Sequence, residues 1–392
     1  MTDRPTTPYL TVNLTTVKQA YDKLKAALPT ATIYYAVKSN PHSEVAAYVH
    51  AIGGSFEVAS ATEMDDLVRL GIQAEDMLFT NPVKMPEHIR RAKEAGIWRF
   101  SFDSEAELQK LATYAPGASV IVRMQAPAFD STVPSEGKFG VDADTARKLM
   151  LDAKARGLRP YGIAFHVGSQ METPKAWRPA IQQAAILMQQ LYDDGVRLHM
   201  LDIGGGFPAY YGAELPDISE YGAYIMEAVG EYLPYDVQIV TEPGRYLVAN
   251  AGTLTSTVIG LAKRGQKHWL HLDVGAFNGV MEALETQNSL HFPVSDSRDS
   301  ADKQLYHLTG PSCDSQDTIL FDVPLSKDLD VGDQIFIHSA GAYTTCYAST
   351  FNGFSIPETI VSEAAAVPRA EDESRIPMPA FEEQLKVNSL PA

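Results

Sequence analysis

The chain is poor in cysteine: Cys313 and Cys346 are the only two in 392 residues. Two cysteines make no disulfide framework and suit a reducing compartment, so a cytoplasmic protein is expected. Positive charge is also scarce. Lys and Arg number 32 against 49 Asp and Glu, a formal net charge of −17 at pH 7, which argues against nucleic acid or an anionic membrane as partner. No apolar run reaches the length needed to cross a bilayer, and the polar first seven residues do not read as a secretory signal. No dinucleotide-binding glycine fingerprint follows the first barrel-type strand, and there is no internal repeat or low-complexity block.

What is present is apolar material, 45 % of the residues, in a length that calls for two domains. A strand is expected over 8–14, then a helix capped by Thr15 that carries Val17, Tyr21, Leu24 and Leu28 on one face. Further strands are expected over 34–41, 55–59, 77–80, 98–102, 119–124, 162–167, 200–203 and 237–241. Helices are expected over 62–70, 86–95, 105–112, 143–156, 175–193 and 218–233. Eight strand–helix alternations imply parallel pairing with right-handed crossovers. They close most economically into a barrel, an open doubly wound sheet being the alternative. Beyond Gly244 the rhythm changes: strands over 253–259, 268–273, 304–309, 318–323 and 333–338 follow without long helices. The fold class expected is therefore α/β, a parallel (β/α)8 TIM barrel over 15–248 with a C-terminal antiparallel β domain. That second domain, sandwich-like or barrel-like, spans 249–392 and takes in residues 1–14. The loop over 125–139 is long enough to suggest a functional or interface segment. The polar tail over 362–392 is either a strand-and-helix appendage or partly disordered.

Active sites of parallel barrels lie at the C-terminal ends of the strands, so the residues just past each strand matter most. Lys38 follows the first, His166-Val167-Gly168-Ser169 the sixth, Gly204-Gly205-Gly206 the seventh and Glu242-Pro243-Gly244-Arg245 the eighth. Taken singly, each has a plain structural explanation: a solvated strand end, a core histidine, a tight turn, an acid–arginine pair. Together they supply a complete set. An amine leaving an apolar strand is expected to have a pKa lowered by desolvation and to form a Schiff base with an aldehyde. Bare glycine N–H groups hold a phosphate, an imidazole stacks on a ring, and a buried carboxylate keeps a pyridine nitrogen protonated. Those are the requirements of pyridoxal phosphate.

The motifs Ala36-Val37-Lys38-Ser39-Asn40, Phe165-His166-Val167-Gly168-Ser169, Asp202-Ile203-Gly204-Gly205-Gly206, Glu242-Pro243-Gly244-Arg245, Gly310-Pro311-Ser312-Cys313-Asp314 and Gly341-Ala342-Tyr343 give the chain its family likeness. It resembles the barrel-type pyridoxal-phosphate decarboxylases that act on ornithine, lysine, arginine and diaminopimelate, over residues 8–357. The resemblance implies a homodimer with shared active sites. It implies that Lys38 holds the cofactor, His166 stacks on its ring and Glu242 faces the pyridine nitrogen. Ser169, Gly205, Gly206, Gly244, Arg245 and Tyr343 would surround the phosphate. Glu57 stands where relatives often have Asp, and Arg123 matches a cofactor-proximal arginine. Cys313 would reach in from the other subunit to return a proton to the carbanion, and Lys138 and Asp317 match a pair that bridges subunits.

Asp314 after Cys313 is the pattern of the ornithine and lysine enzymes, and its charge suits a distal ammonium. Glu282 and Glu285, in the segment after Asp273, are both candidates for a second amine contact. Decarboxylation of ornithine or lysine to putrescine or cadaverine is the expected activity, with polyamine biosynthesis as its setting. Arginine or diaminopimelate decarboxylation, and a non-catalytic regulatory barrel, are the alternatives. Glu242 argues against a racemase, whose fold usually places arginine at the pyridine nitrogen.

Overall fold

Eight parallel strands pair in chain order and close on themselves: β2 (Thr32–Ala36), β3 (Ser55–Val58), β4 (Met77–Phe79), β5 (Arg99–Phe102), β6 (Ser119–Gln125), β7 (Arg159–His166), β8 (Met200–Asp202) and β9 (Gln238–Thr241). Before them come β1 (Tyr9–Asn13) and α1 (Leu14–Ala27). The structure, a computed structural model, describes residues 5–129, 131–132 and 137–363. The expectation for the tail lies outside the described residues from 364 onward.

Strand alternation divides the barrel's side chains into two cores. Tyr34, Leu78, Ile121, Ala164, Met200 and Val240 fill the interior. Their chain neighbours Tyr35, Phe79 and Ile163 point outward into the layer beneath the helices. The helices α2 (Ser43–Ala51), α3 (Ala61–Arg69), α4 (Pro86–Ala95), α5 (Glu105–Tyr114), α6 (Ala143–Ala155), α7 (Trp177–Asp193) and α8 (Ile218–Tyr232) form that layer. Several are launched by a polar cap at the end of the strand–helix loop. The side chains of Ser60, Ser104, Asp142 and Asp217 each accept a backbone N–H from the first turn.

Three local expectations are corrected. The cap of α1 is Asn13, whose Oδ1 accepts the Thr16 N–H at 3.0 Å, and not Thr15. The strand bearing Lys38 stops at Ala36, and Val37–Ser39 form a single 3₁₀ turn. Ser39 Oγ returns a hydrogen bond to the Ala36 carbonyl at 2.8 Å and so closes that turn. Helix α2, between this turn and β3, has no counterpart among the expected helices.

The second sheet runs in the order β12 (Val294–Asp296), β15 (Gln334–His338), β10 (Gly252–Arg264), β11 (Lys267–Leu272), β13 (Lys303–Thr309), β14 (Thr318–Ser326). It is mostly antiparallel, but β11 and β13 pair in parallel. Strand β1 joins it, antiparallel to β10 and parallel to β16 (Glu358–Ser362). Strands β12 and β16, short and largely polar, were not legible as strands. Among the described residues no helix is long and apolar enough to cross a membrane.

Candidate active site

The C-terminal rim of the barrel opens into a cavity of about 430 Å³. Its wall takes Lys38 from the turn after β2, Glu57 from β3, Arg123 from β6, His166 from β7, and Glu242 and Arg245 from just past β9. Tyr343 comes from the loop after β15, so the second domain reaches the barrel's open end. Its backbone N–H bonds the Ser39 carbonyl at 2.8 Å, which ties that loop to the Lys38 turn.

Lys38 offers its amine to the cavity, with 47 % of its side chain exposed there. Nζ lies 2.6 Å from Glu57 Oε2, and Glu57 Oε1 accepts a hydrogen bond from Thr80 Oγ1 at 2.7 Å. The expected lowering of the Lys38 pKa is corrected. Burial works against the charge, but Glu57, Tyr343 and Glu242 together outweigh it and hold the ammonium above its ordinary value. Glu57 makes this contact from a position only 1 % exposed. Thr80 was passed over in the sequence because it reads as the end of an ordinary strand.

His166 is pushed down to about 3 by burial first, then by the charges of Arg123 and Lys38. It is therefore a neutral imidazole at neutral pH, a face to pack on and not a proton donor. Glu242 is raised to about 7, by burial first and then by Glu57. Its Oε1 is buried with no hydrogen-bond partner, as is Oδ2 of Asp202 on the neighbouring strand.

One stretch of the cavity wall is made of backbone. Gly205 and Gly206 line it, and neither tolerates a side chain. A Cβ on Gly205 would sit 2.3 Å from the Glu242 carbonyl oxygen, and one on Gly206, at φ +98°, 2.3 Å from that of Gly168. Ser169, Gly244 and Arg245 complete this stretch, with Arg245 Nε 3.4 Å from Ser169 Oγ. A close-packed backbone cradle beside a guanidinium and a hydroxyl fits a phosphate. The Glu242 carboxylate in the cavity wall fits a ring N–H. The residues present thus match pyridoxal phosphate in charge and in donor set.

Arg245 does not pair with Glu242. Its guanidinium forms a two-pronged, buried ion pair with Glu282, Nη1 lying 2.8 Å from Oε2, and Nη1 also donates to Tyr211 Oη at 2.8 Å. Glu282 is 3 % exposed, on the short helix Glu282–Glu285. The sequence offered it as a contact to substrate or as a solvated helix face, and it is occupied by Arg245 instead. Glu285 is exposed on the same helix. Glu282→Ala is expected to destabilise the protein by about 3–5 kcal/mol in denaturant unfolding, because it strands a buried guanidinium. A loss below about 1 kcal/mol would mean that water replaces the carboxylate at no cost.

Several sequence candidates lie away from the cavity in this chain. Cys313 is exposed, its Sγ 3.7 Å from Asn352 Oδ1. Asp314 beside it is exposed and accepts the Gln316 N–H at 2.8 Å. Asp317 is buried and holds its own turn, accepting from Ala276 N at 2.7 Å and Ser312 N at 3.0 Å. Lys138 Nζ lies over the Phe139 ring at 5.0 Å. Cys346 is half-buried, its thiol pushed up to about 11 by burial.

Comparison with known proteins places this geometry. Residues 14–249 match the family described as pyridoxal-dependent decarboxylase, pyridoxal binding domain. The chain is 35 % identical to the lysine/ornithine decarboxylase of Selenomonas ruminantium, over 91 % of this chain and 90 % of that protein. The crystal structure of lysine/ornithine decarboxylase from Vibrio vulnificus, complexed with cadaverine, superposes with a TM-score of 0.84 at 33 % identity, covering 91 % of this chain and 95 % of that one. The arginine decarboxylase of Paramecium bursaria Chlorella virus, bound to agmatine, gives 0.85 at 29 % identity, covering 91 % and 96 %.

Proposed function

This chain belongs to the pyridoxal-dependent decarboxylases, and from that premise we propose that it removes CO₂ from ornithine or lysine, giving putrescine or cadaverine. The observation that carries the proposal is the convergence of Lys38, His166, Glu242 and the Gly205–Arg245 cradle on one cavity. Pyridoxal phosphate, when bound, supplies the electron sink for the pair released as the carboxylate departs.

The chain's own groups divide the remaining work. Lys38 would hold the cofactor covalently, and Glu57, 2.6 Å away, orients its Nζ in the cavity. His166 would cover the ring with an uncharged face. Glu242 would hold the ring nitrogen's proton, with Arg123 nearby as a cation in the same wall. Ser169, Gly205, Gly206, Gly244, Arg245 and Tyr343 would bind the phosphate. Arg245 would present its Nε edge, since Glu282 and Tyr211 occupy the other.

Cys313 and Asp314 face solvent in the single chain, so their proposed roles as proton donor and as anchor of the distal ammonium require a homodimer. In it, each subunit's loop completes its partner's cavity. Lys138 would face the partner subunit, and a pairing with Asp317 across that junction would require the Asp317 carboxylate to leave the turn it holds here. Cysteine usage supports a cytoplasmic setting.

A CO₂-release assay across ornithine, lysine, arginine and diaminopimelate tests the substrate class. Ornithine or lysine should lead. Turnover confined to diaminopimelate or arginine would overturn the role given to Asp314. Asp314→Ala should raise KM for the preferred diamino acid about 10- to 100-fold, the worth of one charge-assisted hydrogen bond, with a smaller change in kcat.

A further inference from the structure

Asp202 and Glu242 stand at the ends of adjacent strands, and the backbone fixes their relation. Asp202 pairs in register with Val240, two residues before Glu242 and on the same side of β9. The Glu242 N–H then bonds the Gly204 carbonyl at 2.9 Å. Asp202 is wholly buried. Its Oδ1 accepts the Gly204 N–H at 2.8 Å, while its Oδ2 has no partner in the hydrogen-bond pattern of an ionised carboxylate. Glu242 Oε1 is orphaned in the same way, and the two side chains are within hydrogen-bonding reach of each other.

Two buried acids with orphaned acceptor oxygens, within reach of each other, are not both ionised. One proton placed between them satisfies both. We propose that Asp202 is a neutral carboxylic acid that donates its O–H to Glu242, and so acts as a positioning residue that keeps Glu242 ionised and aimed.

The surroundings choose which acid keeps the proton. Glu242 has cations in its field: Lys38 after β2 and Arg123 on β6 both favour its anion. Asp202 lies deeper and faces Glu242 and Glu57, both of which push its carboxyl well above the usual range, after burial itself. Thr80, just past β4, donates to Glu57 and also favours ionised Glu242, and the neighbouring His166 is neutral. The proton therefore resides on the acid with no cation beside it. Two acids sharing one proton titrate as a pair. The proton assignment concerns the protein alone. Its consequence, a carboxylate held ready for the pyridine nitrogen, rests on the cofactor reading above.

The test is infrared difference spectroscopy on the full-length chain stripped of pyridoxal phosphate, with and without aspartate carrying carbon-13 in its side-chain carboxyl. Asp202 is the one aspartate among the described residues whose carboxyl is pushed upward. A neutral-carboxyl C=O band that shifts on aspartate labelling at neutral pH is the expected result. It should vanish in Asp202→Asn, which keeps an oxygen for the Gly204 N–H, and persist in Glu242→Gln. A band insensitive to aspartate labelling, or surviving in Asp202→Asn, would overturn the assignment. The labelled unmutated chain decides the matter should either variant fold poorly. Pyridoxal phosphate titrated into the same sample by absorbance tests the cofactor reading separately, so either can fail alone.

Discussion

Lys38→Ala is expected to lower decarboxylation by about 10⁴-fold, because one side chain both holds the cofactor and handles a proton. Lys38→Arg should fall almost as far. Its guanidinium keeps a positive charge for Glu57 but does not give up its proton to become a nucleophile. The arginine variant separates chemistry from architecture. In the wild type the Lys38 ammonium neutralises a carboxylate that is 1 % exposed, so the alanine variant also loses stability and the arginine variant should lose much less. Borohydride reduction followed by peptide mapping should mark Lys38 in the wild type. Recovery of the mark on another lysine, or retention of more than about a tenth of wild-type turnover in Lys38→Arg, would end the assignment.

The second large effect is recovery of activity by mixing two dead proteins. Cys313 is solvent-exposed and absent from the wall of the cavity that holds Lys38. If each cavity is completed by the other subunit, Lys38→Ala and Cys313→Ala disable different halves of one site. Co-expressed, they form mixed dimers in which one of the two sites carries both native residues. Random pairing makes half the dimers mixed, so about one quarter of wild-type turnover is expected. Cys313→Ala alone should bind the cofactor normally and turn over poorly. Turnover of the co-expressed pair no greater than the mean of the separate variants would show that Cys313 acts within its own chain or not at all.

The barrel was legible because a strand with one face in each of two cores is almost wholly apolar, and the strands alternate with helical stretches whose apolar residues recur at helical spacing. Strand-end logic then brought Lys38, His166, Glu242 and Arg245 to one rim, and the structure places all four there. What stayed hidden depends on pairing across the fold. Nothing local in the sequence says that Glu282 seeks Arg245 thirty-seven positions earlier. Nor does it say that the Lys38 charge is settled by three acidic or phenolic neighbours from three separate segments. Burial alone pointed to a lowered pKa, and long-range Coulomb attraction reversed the sign. Asp202 sat inside a recognised motif, yet it reads there as a simple turn acid.

Strand β1 is made long before either of its partners. Its neighbours in the sheet, β10 and β16, lie some 240 and 350 residues downstream, with the whole barrel between. During translation the barrel can assemble while this first strand waits unpaired, its edge open to wrong associations. A chain halted just after β9 would leave it without any partner. The growing polypeptide is therefore exposed to aggregation until β10 and β16 have followed, and removal of residues 1–12 should injure the sheet far more than the barrel.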